Sequence, residues 1–363
     1  MLGDIMKKKV TMQQIADYLG VSKFVVSKAL SGKGGVSPST QERVFEVATQ
    51  LGYISRKQAT GNKIHLKPVT EINDEKKTVL ILMPNVRYQT KNSVYWGKIV
   101  DGITDGIKQA GLGVVILTEN SAENFSNIIN PKAFIGIIGV GMIPTNLLLE
   151  VNNFKLPIIL IDHEDPLIPT DTIFTNNIDS VYSITNHLIG QGHKKICFVG
   201  NNEWSRSFSD RWLGFRAALE TNRLYKSEEA HFIEVNGKEN SEMEEEIINW
   251  FSKKSEQVPT ALVCANDAIA RCSVTGLKHQ LDINVPREVS VTGFDNTDDS
   301  YLSTPTITTI NVPKEDIGLR AVEMLLRRVK KHQAPFEKVM IICPIIFRDS
   351  IAAPLQVKMV DKV

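Results

Sequence analysis

The sequence is poor in the features that would commit it to a membrane, to export or to catalysis. No uncharged apolar stretch approaches the roughly 20 residues a bilayer span needs. The longest, Ala133 to Val140, is interrupted by Gly136 and Gly139 and suits a buried strand. Lys7, Lys8 and Lys9 are followed by Thr11-Met12-Gln13-Gln14 where an export signal would be apolar, so the expected compartment is the cytoplasm. Cysteine is scarce: Cys197, Cys264, Cys272 and Cys343 form no Cys-x-x-Cys pair, which argues for reduced, buried thiols and against a zinc site or disulfides. There is no Gly-x-Ser-x-Gly, no phosphate-binding Gly-Lys-Ser/Thr loop and no His-Glu-x-x-His. Gly139-Val140-Gly141 continues into Met-Ile-Pro and fails the dinucleotide pattern. No cofactor, no metal and no catalytic residue is expected, and neither an internal repeat nor a low-complexity tract is visible.

What the chain does carry is an uneven charge. Its formal net charge is +1, yet residues 1–67 hold 11 Lys/Arg against 4 Asp/Glu, and the remainder 31 against 37. A head of +7 on a body of −6 is the footprint of a small domain that meets a polyanion and a large one that does not.

The head reads as three short helices. Met12, Ile15, Ala16 and Leu19 recur at helical spacing behind Thr11 as cap, with Gly20 as stop. Val26, Ala29 and Leu30 form a second stripe opened by Ser22. Ser37-Pro38 opens a third helix that buries Val44, Val47, Ala48 and Leu51. The short Leu19-Gly20-Val21 connection predicts a helix-turn-helix over residues 6–54. In the second helix the apolar stripe leaves Lys23, Phe24, Ser27 and Lys28 on the other side, where they suit phosphates, base edges and a thymine methyl in a major groove. Residues 55–76 are polar and read as a linker. From residue 77 to 350, seven β-branched apolar runs alternate with amphipathic helical stretches. This predicts an α/β core of doubly wound parallel sheets, in two lobes with a cleft between them. The N-lobe is expected at about 77–175 and 312–338, the C-lobe at about 176–311 and 339–350, and a tail at 351–363.

Val10-Thr11-Met12-Gln13-Gln14-Ile15-Ala16, Gly20-Val21-Ser22, Val26-Ser27-Lys28-Ala29-Leu30-Ser31-Gly32 and Leu51-Gly52-Tyr53 together resemble the head of the LacI/GalR family of bacterial transcriptional regulators. The likeness continues in Gly192-His193-Lys194-Lys195-Ile196, in Arg211-Trp212-Leu213-Gly214-Phe215, in Asn266-Asp267, and in the stretch from Val285 to Asp295. The resemblance implies a homodimer that binds a palindromic double-stranded DNA operator, and a periplasmic-binding-protein-like core that takes a small polar effector. On the DNA side the candidate residues are Thr11, Ser22, Lys23, Phe24, Val25, Ser27, Lys28, Tyr53, Arg56 and Lys57. On the effector side they are Asp162, Arg211, Asn266 and Asp295, with Tyr95, Trp204, Phe208 or Trp212 as stacking partners. Asp162, Asn266 and Asp295 each follow an apolar run, at the carboxyl strand tips where such cores bind ligands.

The chain departs from the family in three places. Val25 and Lys28 stand where Thr and Arg are common, removing a hydroxyl and a bidentate fork. Thr60, Gly61 and Asn62 replace the linker's usual Arg-x-Leu, which predicts charge-based contacts without an apolar wedge in the minor groove. Lys314 stands where sugar-binding members carry a ring, which leaves room for a phosphorylated or acidic effector. The alternative reading is a cytoplasmic sugar-binding or sugar-modifying protein with an accessory helical domain.

Overall fold

The computed structural model describes residues 11–19, 21–31, 37, 40, 44, 78–84, 89–118, 129–237, 239–253 and 258–355. It divides into two units, Met1–His65 and Leu66–Val363.

In the first unit the helices Met12–Leu19 and Lys23–Ser31 form as the periodicity predicts. Ile15, Ala16, Val26, Ala29 and Val44 make a small core, flanked by Met12, Leu19, Val21 and Leu30. Ser22 caps the second helix, its Oγ accepting the Val25 N–H at 3.3 Å. Of the expected third helix only Ser37, Thr40 and Val44 are described. Ser37 Oγ accepts the Thr40 N–H at 3.2 Å, the three-residue spacing of a helix cap. Tyr53, Arg56, Lys57, the linker and its Thr60-Gly61-Asn62 departure lie outside the described residues.

In the second unit the strands are, in chain order, β1 (Thr78–Leu82), β2 (Gly113–Leu117), β3 (Phe134–Val140), β4 (Ile158–Ile161), β5 (Asp171–Thr175), β6 (Ile196–Gly200), β7 (Phe232–Glu234), β8 (Ala261–Cys264), β9 (Ser290–Phe294), β10 (Thr308–Ile310), β11 (Lys338–Ile341) and β12 (Ile345–Ile346). They form two six-stranded sheets, ordered β11-β5-β4-β3-β1-β2 and β12-β10-β9-β8-β6-β7. Every pairing is parallel except β10 with β12. Central strands are buried along their whole length, as helices on both faces require, so their sequences are near-continuous apolar runs. The chain passes between the sheets three times: between β5 and β6, between β10 and β11, and between β11 and β12.

Two helix pairings support this layout. Helix Lys314–Lys330, reached from the second sheet, packs on helix Trp96–Gln109 of the first. Gly102 makes the approach possible, because a Cβ there would sit 2.1 Å from the Glu315 carbonyl oxygen. Helix Asn177–Gly190 packs on helix Arg206–Thr221. At the end of helix Lys314–Lys330, Arg328 grips Asp171 of β5 through Nε at 2.7 Å and Nη2 at 2.9 Å.

Ala352 stays docked on the second sheet, its carbonyl accepting from His193 Nε2 at 2.9 Å and from Ser290 Oγ at 3.0 Å. His193 also lies 2.9 Å from Thr260 Oγ1, so it is a structural tie between strand entries. All four cysteines are free and buried, and burial pushes the Cys264, Cys272 and Cys343 thiols up to about 12. No described helix is long and apolar enough to cross a membrane.

Candidate functional site

The candidate effector-side groups sit at strand tips with unusual backbone. Asp162 follows β4 with φ 55°, and Asp295 and Asn296 follow β9 with φ 98° and 52°. Left-handed backbone at non-glycine residues is uncommon, though Asp and Asn tolerate it best, and it collects at sites where side chains must be aimed. The tips are nonetheless tied to their sheets: Asp162 N donates to Ile173 O at 2.9 Å and Asp295 N to Ile310 O at 3.0 Å.

Helix Arg206–Thr221, capped by Ser205 whose Oγ accepts the Phe208 N–H, carries the central cation. Arg211 donates from Nε to Asn177 Oδ1 at 2.9 Å, from Nη1 to Ala265 O at 2.6 Å and from Nη2 to Asp295 Oδ1 at 3.1 Å. Its guanidinium lies 3.7 Å from the Phe294 ring centre and 5.4 Å from that of Phe208. One turn earlier, Ser207 Oγ donates to Asp162 Oδ1, joining the second sheet's helix to the first sheet's tip. Arg206 pairs with Glu164, which also pairs with Lys338, and lies 4.9 Å over the Phe174 ring. These contacts tie together the strand tips of the two sheets.

Tyr95 immediately precedes helix Trp96–Gln109 and meets the Trp96 ring edge-on at 4.9 Å. Burial, with Asp162 and Asp295 nearby, holds its hydroxyl well above the ordinary tyrosine range. Burial likewise raises the Asp162 carboxyl to about 6, against the donation from Ser207 and the charge of Arg211. Tyr95, Asp162, Arg211 and Asp295 are therefore one electrostatic cluster. Asn266 stands at the adjacent β8 tip, where its Oδ1 caps helix Asp267–Gln280 by accepting the Ile269 N–H at 2.9 Å.

Sequence reasoning missed Asn177, Ser207 and Asp267. Ser207 was findable, since it lies four residues before Arg211 on one helix face. Asp267 accepts Thr309 Oγ1 at 2.6 Å and the Thr297 N–H at 2.7 Å. Gly293 leaves the space for it, as a Cβ there would stand 2.2 Å from Asp267 Oδ1. Burial first, and Asp295 second, raise the Asp267 carboxyl to about 7. One stacking expectation is corrected: Trp212 is 4 % exposed, enclosed by Phe198, Phe215 and Phe232 at 4.9–5.7 Å, and belongs to the core. Trp204 and Phe208 instead pair with each other at 5.6 Å and are partly buried.

The Asp162 carboxyl makes a pH prediction. Its proton is held in the folded chain up to about pH 6 but released near 3.8 when unfolded, so stability falls as pH rises between those values. Asp162→Asn keeps an oxygen for Ser207 and removes the charge. Relative to that variant, the parent should lose on the order of 2–3 kcal/mol between pH 4 and pH 7. Urea titrations of both across this range check it, and parallel curves would refute it.

In the first unit, Lys23, Phe24 and Ser27 are exposed on helix Lys23–Ser31, Phe24 at 66 %, while Val26 and Ala29 are buried. Lys28 Nζ lies 5.1 Å over the Phe24 ring. Val25 is half-buried, Thr11 is exposed, and Ser22 is both exposed and engaged as a cap. A helix with an apolar back and a front of cations, a hydroxyl and a ring has the chemistry for groove reading.

Residues 11–55 match the family described as bacterial regulatory proteins, lacI family, and residues 185–351 match a periplasmic binding protein-like domain. Among curated relatives, the HTH-type transcriptional repressor PurR of Actinobacillus pleuropneumoniae serotype 3 (strain JL03) is 26 % identical over 332 residues, covering 90 % of this chain and 93 % of PurR. The HTH-type transcriptional repressor CytR of Escherichia coli (strain K12) is 25 % identical over 353 residues, 94 % of this chain and 96 % of CytR. Among solved structures, the Lac repressor dimer bound to operator and the anti-inducer ONPF has TM-score 0.65 at 21 % identity, covering 95 % of this chain and all of that one. The transcriptional regulator CelR–cellobiose complex has TM-score 0.67 at 18 % identity, covering 94 % and 99 %. These two establish likeness of fold. Over its DNA-binding head and its periplasmic-binding-protein-like core the chain resembles the lacI family of bacterial regulatory proteins. It is a DNA-binding transcriptional regulator.

Proposed function

We propose that this regulator is a repressor that binds a palindromic operator as a homodimer, and that a small polar effector held between the lobes changes its affinity for DNA. The observation that carries the effector reading is the convergence of Asp162, Arg211 and Asp295 from two sheets onto one cleft, bridged by Ser207. Tyr95 and Asn266 complete the proposed effector set. Support for the DNA reading comes from the exposed Lys23, Phe24 and Ser27 beside Lys28, and from the basic head. Residues 6–54 would form the DNA-binding domain, with Thr11, Ser22, Val25 and Tyr53 adding contacts and Arg56 and Lys57 extending them into a linker at 55–76. The effector core would occupy about 77–350. The protein acts by binding, without a catalytic step, and works in the compartment that holds the DNA, the cytoplasm.

Footprinting of the intact protein on genomic fragments, at several salt concentrations, tests this. A palindromic protected site is expected, with log K falling by about 0.9 per phosphate neutralised for each unit of log salt. Lys23→Ala and Phe24→Ala should each cost about 1–3 kcal/mol at the base pairs they read. A shallow salt slope without a palindrome would sink the regulator's operator reading.

A further inference from the structure

Two buried cations stand at the site: the donors of Lys314 are fully spent, and three of the five on Arg211 are held by an amide oxygen, a carbonyl and a carboxylate. Lys314 is 3 % exposed at the start of its helix. Its Nζ donates to Asp295 O, to Val312 O at 3.3 Å and to Asn296 O at 3.5 Å. An ammonium has three N–H groups, and three carbonyls take them. Arg211 spends three of its five donors on Asn177, Ala265 and Asp295. Arg206, nearer the rim, pairs with Glu164 and, at 3.4 Å, with Asp210.

Acceptors are in surplus at the same place. Asp162, Asp210, Asp267 and Asp295 crowd the site, and Asp162 and Asp267 are already pushed toward neutrality. Asp162 receives a donor only at Oδ1, from Ser207, and Asp295 only at Oδ1, from Arg211, leaving each Oδ2 without a donor among the described residues. A ligand's hydroxyl or amine hydrogens satisfy those oxygens, whereas a phosphate or carboxylate adds like charge beside them.

We propose that the cleft takes an uncharged or amine-bearing polyhydroxyl ligand and rejects its phosphorylated or carboxylated counterpart, Lys314 being a positioning residue that clamps the Asp295–Asn296 tip and not an anion receptor. The inference rests on the effector reading above and replaces the expectation that Lys314 opens the site to acidic effectors. Lys314 joins the start of the helix packed under the first sheet to the tip of β9 in the second. The clamp thereby fixes where Asp295 points relative to both lobes.

The test is calorimetry on the full chain with matched probes: glucose, glucosamine, glucose 6-phosphate and glucuronate; ribose and ribose 5-phosphate; adenosine and adenosine monophosphate; and inorganic phosphate alone. The neutral or amine member of a binding series is expected to bind at least tenfold more tightly than its anionic partner. Asp162→Asn should narrow that ratio. Lys314→Met should weaken the neutral member while leaving the ratio unchanged, which a lost anion receptor would not do. If an anionic member binds as tightly as the neutral one and Arg211→Ala abolishes it, the inference is overturned while the cleft stands as the effector site. If binding of any member survives both Arg211→Ala and Asp295→Ala, the effector-site reading itself fails.

Discussion

Arg328→Ala lowers the stability of the core by about 3–5 kcal/mol, the cost of leaving a buried carboxylate without its partner. Asp171 is 3 % exposed and Arg328 is 7 % exposed. The guanidinium also donates from Nη1 to His332 O at 3.3 Å and to Ala334 O, and from Nη2 to Pro335 O at 2.9 Å. Asp171 Oδ1 in turn accepts the Glu337 N–H at 2.8 Å. One side chain therefore ends helix Lys314–Lys330, shapes the turn after it and sets the chain into β11 beside β5. The substitution strands carbonyls as well as the carboxylate. Urea unfolding followed by tryptophan fluorescence measures the loss, since Trp96, Trp204, Trp212 and Trp250 all lie in the second unit. Arg216→Ala, which breaks an exposed i,i+4 pair with Glu220, is the control and should leave the unfolding curve close to the parent's. Equal effects at the two sites would contradict the assignment of Arg328 as the tie.

The same pair explains where sequence reasoning stopped. Seven apolar runs announced β1, β2, β3, β4, β6, β8 and β9; all but β2, an edge strand of exposed and half-buried residues, are covered on both faces and need apolar residues at nearly every position. β5 carries Asp171 and Thr172 inside the sheet and reads as polar; Arg328, more than 150 residues away, and the Glu337 N–H make the burial of Asp171 tolerable. β10 hides Thr308 and Thr309, whose hydroxyls donate to the Arg348 carbonyl and to the Asp267 carboxylate. β11 is an edge strand, alternating exposed and half-buried residues, and β7 and β12 are too short for periodicity to register. Helices were easier: the amphipathic stretches predicted in the second unit coincide with helices, though most of the helices begin a few residues earlier, at the caps.

The site was legible to the same degree and for a related reason. Asp162 and Asp295 are polar residues that terminate apolar runs, so strand geometry alone puts them at the carboxyl ends. The partners that give Arg211 its meaning come from Asn177, Ala265 and Asp295, distant in the chain, and no local pattern links them. Lys314 was visible as a departure in the sequence. Its destination was not, because a lysine that spends its donors on backbone carbonyls leaves no side-chain partner to read.

Arg211→Ala is expected to weaken effector binding by about 2–5 kcal/mol, roughly 30-fold to several thousandfold. The arginine joins the Asp295 carboxylate, the Ala265 carbonyl and the Asn177 amide, groups from three elements around the cleft. Without it, Asp295 loses its counter-charge and the geometry that presents Oδ2 to a ligand. Because the side chain is itself buried, truncation also removes part of the apo protein's stability, so unfolding curves must accompany the titrations. Asp295→Asn separates the two effects: it keeps an oxygen for Arg211 and removes the charged acceptor, and should weaken the ligand with less cost to the fold. Linkage then makes a second readout. An effector that shifts operator affinity by about 1–3 kcal/mol in the parent must lose that shift when its own binding is lost, while operator affinity without effector stays near the parental value. Calorimetry for the ligand and gel-shift titration for the operator supply both numbers on the same preparations. A ligand that moves operator affinity equally in the parent, in Arg211→Ala and in Asp295→Asn would place the effector site elsewhere, because coupling acts only through the states a ligand distinguishes.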